Sequence, residues 1–291
     1  MTTHNQRLQT ALAKPGVLKA PGLFDSLTAR LVEQAGFEVG FVSGAGIAFS
    51  RFGIPDIGLI GMSEVAQCIQ LMREITELPL IVDIDTGFGN ALNTQRTVRV
   101  FERAGASAMQ MEDQLMPKRC GHMKGKNVVS CNEMVGKIHA FVDSRSNEHT
   151  LLVARTDALG VTGFDDAMER ARRYLEAGAD LLFIEAPKSL EQMQLIAAEF
   201  GSKVPLVHNL VEGGASPVAS AAELAEMAYK VALYPVALLH AFVPTAQALL
   251  QHIKQHGETR QFSQPLLDLN QINQLLNADK LLEQAKKYDA S

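Results

Sequence analysis

Three segments of the chain repeat one pattern: the end of an amphipathic stretch, an Ala-Gly pair, and an apolar run. They read EQAGFEVGFVSG at 33–44, ERAGASAMQMED at 102–113 and LEAGADLLFIEAP at 175–187. Gly36, Gly105 and Gly178 stand where a helix closes on a left-handed residue, so each following apolar run is predicted to be a strand. These glycines are 69 and 73 residues apart, about two helix-plus-strand units of roughly 35 residues each, so the pattern marks every second unit. Apolar runs at 17–20, 80–84, 151–154, 205–207 and 231–234 bring the predicted strands to eight. They alternate with amphipathic stretches at 63–77, 93–104, 164–177 and 190–200, whose apolar residues recur at helical spacing.

Strands that are almost wholly apolar belong to a parallel sheet covered on its faces. Eight alternating units over roughly 250 residues predict an α/β fold, a (β/α)8 TIM-type barrel, with a doubly wound open sheet as the alternative. No linker-like segment divides the chain, so one domain is expected over 1–291, with a helical extension from about 245 to 291 beyond the eighth strand. That extension is expected to pack on, or be swapped with, a neighbouring subunit. Residues 113–130 form a long polar loop between a strand and a helix, and long loops in compact domains tend to be functional.

Composition removes several classes. With 47% hydrophobic and 20% charged residues the chain is an ordinary folded protein, and 27 basic against 32 acidic residues leave no field to collect nucleic acid. The most apolar stretch, 231–243, is shorter than the roughly 20 residues a membrane span needs and contains Pro235 and His240. Three cysteines, Cys68, Cys120 and Cys131, and an opening without a charged-then-apolar leader point to a reduced, cytoplasmic protein.

In such a barrel the active site lies at the C-terminal ends of the strands. The polar residues closing each run are Ser43 and Gly44, Asp83 and Asp85, Glu112 and Asp113, Arg155 and Asp157, Glu185, then His208, Asn209 and Glu212. Asp83, Asp85 and Glu112, with Asp56, make a set of hard oxygen ligands suited to Mg2+ or Mn2+. Asp83 and Asp85 would equally serve as caps of the next helix, but Glu112 and Glu185 at equivalent strand ends tilt the balance toward metal. In the long loop, Lys118, Arg119 and His122 surround Cys120, and nearby cations favour its thiolate. Cys68 and Cys131 read as structural, and His139, His149, His252 and His256 as surface residues without partner spacing.

The loop KRCGH at 118–122, with SGAG at 43–46, DIDTGFG at 83–89, MED at 111–113, ARTDA at 154–158 and FIEAP at 183–187, resembles the isocitrate lyase and phosphoenolpyruvate mutase superfamily. The likeness runs from about Phe24 to Tyr234, and the length matches the short lyase branch of 2-methylisocitrate and 2,3-dimethylmalate lyases. The resemblance implies Asp85 as the direct Mg2+ ligand, with Asp56, Asp83 and Glu112 holding metal-bound waters. It implies Ser43, Gly44 and Ala45 at the substrate carboxylate, Arg155 at its oxygen, and Glu185, Asn209, Gly121 and Glu212 completing the site. Cys120 becomes the general acid of a carbon-carbon lyase, assisted by Lys118 and His122, and a dimer or tetramer is expected.

Three departures bear on substrate. Methylisocitrate lyases carry tyrosine where this chain has Phe41, Thr-Glu-Phe-Gly where it has Val211-Glu212-Gly213-Gly214, and arginine near His240. Arginine and threonine there would hold the far carboxylate of a tricarboxylate, so their loss favours an alkylmalate-type dicarboxylate. Two other readings remain open. Oxaloacetate decarboxylation or phosphonomutase chemistry would survive loss of Cys120, and a non-catalytic metabolite-binding barrel would not respond to Mg2+.

Overall fold

A computed structural model of the chain describes residues 3–119, 121, 125–214 and 216–288. Eight parallel strands run in the order β6-β5-β4-β3-β2-β1-β8-β7. They are β1 (Leu18–Leu23), β2 (Gly40–Val42), β3 (Leu80–Asp83), β4 (Ala108–Glu112), β5 (Leu151–Thr156), β6 (Leu181–Ile184), β7 (Val207–Asn209) and β8 (Val231–Tyr234). β1 pairs with both β2 and β8, and a parallel bridge from Leu182 to Leu206 joins β6 to the approach of β7, so the sheet closes on itself as a TIM-type barrel. The seventh strand lies two residues later than its apolar run suggests. Leu206 makes only that single bridge, and the continuous ladder to β8 begins at Val207.

The Ala-Gly junctions fold as predicted: Gly36, Gly105 and Gly178 have φ of 81°, 101° and 107°. Helices start on side-chain caps supplied by the sequence. Asn90 accepts from Leu92 and Asn93 N–H, Ser130 from Glu133, and Ser189 from Gln192, which fixes where each helix leaves its loop. The helix predicted at 63–77 instead spans Met62–Arg73. The Arg73 guanidinium donates to the carbonyls of Thr76, Leu78 and Gly105, so the chain past 73 is held in a turn toward β3.

Strand alternation divides the core in two. Phe41, Ile81, Ala108, Val153, Phe183 and Leu233 point into the barrel and form one buried cluster. Their neighbours Val82, Met109, Leu152, Ala154, Leu182 and Ile184 point outward against helix residues such as Ile69, Phe101, Phe141 and Tyr174. Each fully buried Leu, Ile, Val or Phe contributes about 1.5–3 kcal/mol. The chain divides into two compact units, Met1–Ala241 and Phe242–Ser291. In the second, the helices Leu269–Leu275 and Ala278–Ala285 bury no residue, and Leu269, Leu281 and Leu282 are exposed. Among the described residues no helix is long and apolar enough to cross a membrane.

Candidate active site

Extending the inward alternation past the last apolar residue of each strand yields the site. After Phe41 comes Ser43; after Ile81, Asp83; after Ala108, Gln110 and Glu112. After Val153 comes Arg155; after Phe183, Glu185; after Val207, Asn209. Ser43, Asp83, Gln110, Glu112, Arg155 and Asn209 line a cavity of about 190 Å3 at this end of the barrel, together with Ala45, Asp56, Lys118 and Gly121.

One side of the cavity is a carboxylate cluster. Lys118 is only 3% exposed, and its ammonium pairs with Asp56 and lies 2.8 Å from Asp85 Oδ1. Lys118, expected beside the loop thiol, meets these carboxylates, while Cys120 lies outside the described residues. Asp85 sits in the left-handed region with φ 47°. Its N–H donates to Asp83 Oδ1 at 3.1 Å, and its carbonyl accepts from Glu112 N–H at 2.9 Å. The Gly44 backbone comes so close that a Cβ there would stand 3.1 Å from Asp83 Oδ2. Burial pushes Asp85 up to about 7, with Lys118 pulling it down and Asp83 adding to the rise. Burial likewise raises Asp83 and, further, Glu112, against the lowering pull of Lys118 and Arg155.

The other side centres on Arg155. Its Nε donates to Asp157 Oδ2 at 2.9 Å and its Nη2 to Asp157 Oδ1 at 3.1 Å. Its Nη1 lies 3.3 Å from Glu112 and its Nη2 3.4 Å from Glu185, and the guanidinium carbon sits 5.3 Å from the centre of the Phe183 ring. Glu185 accepts from Asn209 Nδ2 at 3.0 Å and from Ala186 N–H at 2.9 Å, which orients both side chains. Behind this side Asp113 is wholly buried and accepts from Thr156, Asp157 N–H, Tyr174 and Arg170.

The remaining wall is apolar, made by Phe41, Phe49, Val211, Pro235 and Val236, with His240 at its edge. Glu212, expected to face substrate, pairs instead with His240, Oε2 to Nδ1 at 3.2 Å. Cys120 and His122 lie outside the described residues. Cys68 is buried and Cys131 opens a helix, as expected. His252 does have partners, with Nε2 3.0 Å from Glu258 and its ring 4.7 Å from that of His256. Sequence reasoning missed Gln110, which the inward alternation marks, and the wall residues Phe49, Pro235 and Val236, which no local signal marks.

The family model for phosphoenolpyruvate phosphomutase matches residues 8–254. The chain belongs to that family. Among curated proteins this family member is 38% identical over 284 residues to 2,3-dimethylmalate lyase of Eubacterium barkeri, covering 97% of both chains. It is 44% identical over 250 residues to 2-methylisocitrate lyase of Aeropyrum pernix, covering 86% of this chain and 80% of the other. Among solved structures, a 2,3-dimethylmalate lyase of the PEP mutase/isocitrate lyase superfamily superposes with a TM-score of 0.92 at 31% identity, over 100% of this chain and 97% of the other. A phosphonopyruvate hydrolase in complex with oxalate and Mg2+ superposes with a TM-score of 0.88 at 30% identity, over 98% and 99%.

The residues present suit a divalent cation. Among the described residues, Asp56, Asp83, Asp85, Glu112, Asp157 and Glu185 meet only the side chains of Lys118, Lys126 and Arg155 as buried cations. Among the described residues, Glu112 Oε1, Gln110 Oε1 and Asn209 Oδ1 are buried acceptors that meet no hydrogen-bond donor. Among the described residues no three acidic, thiol or imidazole groups close around a single point. Carboxylate and amide oxygens of this kind suit a hard cation such as Mg2+, which takes one or two carboxylates and keeps several waters.

Proposed function

We propose that this family member is a Mg2+-dependent carbon-carbon lyase. It splits a 2-hydroxy dicarboxylate of the alkylmalate type, 2,3-dimethylmalate ahead of 2-methylisocitrate, into pyruvate or another 2-oxo acid and a carboxylic acid. One observation carries the reading: a single small cavity joins an over-charged carboxylate cluster, the Arg155 guanidinium and an apolar wall. At about 190 Å3 the cavity is below the roughly 300–1,000 Å3 of drug-sized ligand sites and suits a short-chain acid. The wall accepts alkyl groups. Beyond Lys118 and Arg155, the cations lining the cavity among the described residues are Arg119 and His240, and His240 is already paired with Glu212.

Asp85 would hold the metal directly, with Asp56, Asp83 and Glu112 holding its waters. When bound, Mg2+ supplies a Lewis acid for the negative charge that develops on the C2 oxygen. Ser43, Gly44 and Ala45 seat the C1 carboxylate, and Arg155 donates to the C2 oxygen from a position fixed by Asp157. As the C2–C3 bond breaks, the hydroxyl proton passes to water, C2 becomes a ketone, and the bonding pair moves to C3 and its carboxylate. Cys120 gives its thiol proton to C3 and is left as thiolate, a general-acid contribution of about 100- to 10,000-fold. Lys118 sets the charge of the metal site, and Glu185 and Asn209 keep Arg155 and the cavity floor in place.

The test is release of 2-oxo acid with Mg2+, coupled to lactate dehydrogenase, over 2,3-dimethylmalate, 2-methylisocitrate, isocitrate and oxaloacetate. Cleavage of a hydroxy acid that Cys120→Ala loses supports the lyase. Turnover of oxaloacetate alone, unimpaired in Cys120→Ala, overturns it in favour of a decarboxylase. The same reading makes the enzyme a cytoplasmic dimer or tetramer, with the apolar C-terminal helices packed on a neighbouring subunit. A monomer in sedimentation would refute that assembly.

A further inference from the structure

Lys126 stands outside the mechanism above, yet its side chain is only 7% exposed. Its ammonium donates to the carbonyl of Gly121 at 2.5 Å and to Asp157 Oδ1 at 2.6 Å. Asp157 is the carboxylate that grips both Nε and Nη2 of Arg155. Gly121 lies directly on the same guanidinium, since a Cβ there would meet Arg155 Nη2 at 2.4 Å and the Glu185 carboxylate at 3.0 Å. One ammonium thus ties the backbone of the long loop to the group that orients Arg155. Burial would raise the Asp157 carboxyl, but Arg155 and then Lys126 overcome it and hold Asp157 below the usual range.

We propose that Lys126 is a positioning residue: by bridging Gly121 O to Asp157 it seats the loop backbone against the Arg155–Glu185 pair and locks the guanidinium in its working orientation. The consequence for chemistry is that two elements are aligned by one contact. Gly121 is the residue after Cys120 in the sequence, and the bridge sets its backbone relative to Arg155. Lysine provides this with three donors on a compact charge, and arginine can also reach a carbonyl and a carboxylate together. A methionine of similar length offers neither bond.

The inference rests on the lyase reading, and its test separates the two. In Lys126→Met, kcat for the cleaved hydroxy acid is expected to fall about 10- to 100-fold, because a misplacement of about 1 Å has that effect. KM, and the affinity for oxalate with Mg2+ measured by calorimetry, stay within about threefold, since Lys126 contacts neither. Lys126→Arg recovers most of the lost kcat, which a purely structural loss would not show. Trypsin cleavage after Arg119, followed by mass spectrometry, speeds up in Lys126→Met and slows again in Lys126→Arg. A Lys126→Met enzyme with kcat within about twofold of wild type, or a Lys126→Arg no better than Lys126→Met, overturns the proposal. If wild type cleaves none of the panel, the lyase reading fails, and unchanged trypsin cleavage after Arg119 in Lys126→Met then overturns the bridge on its own.

Discussion

The two sides of the cavity are built to opposite rules. On the Arg155 side the carboxylates are answered: Asp157 by Arg155 and Lys126, Asp113 by Thr156, Tyr174, Arg170 and a backbone N–H. On the Asp85 side four carboxylates lie around the ammonium of Lys118, with Glu112 also reaching Arg155 at 3.3 Å, and among the described residues Glu112 Oε1 and Gln110 Oε1 have no hydrogen bond. The paired side holds geometry. The under-paired side stores unfavourable charge that, on the proposed function, a dication would relieve, so stability and ligand binding would fall to different halves of one rim.

The sharpest way to break this contrast is on the paired side. Asp113→Ala leaves the buried Arg170 without its inner carboxylate and should cost about 3–5 kcal/mol in urea unfolding. A loss below about 1 kcal/mol would mean the network is not what holds β4 to β5. Across the cavity the sign reverses. Asp85→Asn should stabilise the metal-free protein by about 1–2 kcal/mol at pH 8, because burial makes the ionised form costly there, while activity with Mg2+ is lost.

The pH dependence sharpens the same point. Asp85 rises from 3.8 to about 7 on folding, so between those values the folded chain keeps a proton that the unfolded chain has released. Stability therefore falls as pH rises through that window, and metal ligation needs the ionised form. The gain in Tm with Mg2+ should be greater at pH 8 than at pH 5.5 by about 2–4 °C, the equivalent of about 1 kcal/mol in a chain of this size. Equal gains at both pH values would remove Asp85 from the ligand set. The smallest effect belongs to the rim, where Glu212 and His240 are nearly half exposed. Glu212→Gln should change stability by less than about 0.5 kcal/mol, yet free His240 and raise turnover of 2-methylisocitrate relative to 2,3-dimethylmalate.

How much of this was legible depends on range along the chain. The barrel and the rim carboxylates follow from apolar runs ending in polar residues, a pattern local to each strand. Gln110 was within reach of the same logic, since it shares the inward face with Ala108 and Glu112. Asp113, one residue on, faces outward to Arg170 and Tyr174, so adjacency to Glu112 misrepresents it as a rim residue. The destination of Lys118 was not legible, because its partners Asp56 and Asp85 are 62 and 33 residues away and nothing in KRCGH names them. The apolar wall was equally hidden, gathered from Phe41, Phe49, Val211 and the Pro235-Val236 pair.

Asp85 carries one more consequence. Its φ of 47° suits few residues besides glycine, asparagine and aspartate, and the Glu112 N–H clasps its carbonyl in that turn. Saturation mutagenesis at this position would therefore be sieved twice. Selection for a folded barrel would admit Gly, Asn and Asp, and selection for turnover would keep Asp alone. The handedness of a single peptide unit narrows the alphabet here before any chemistry is asked of it.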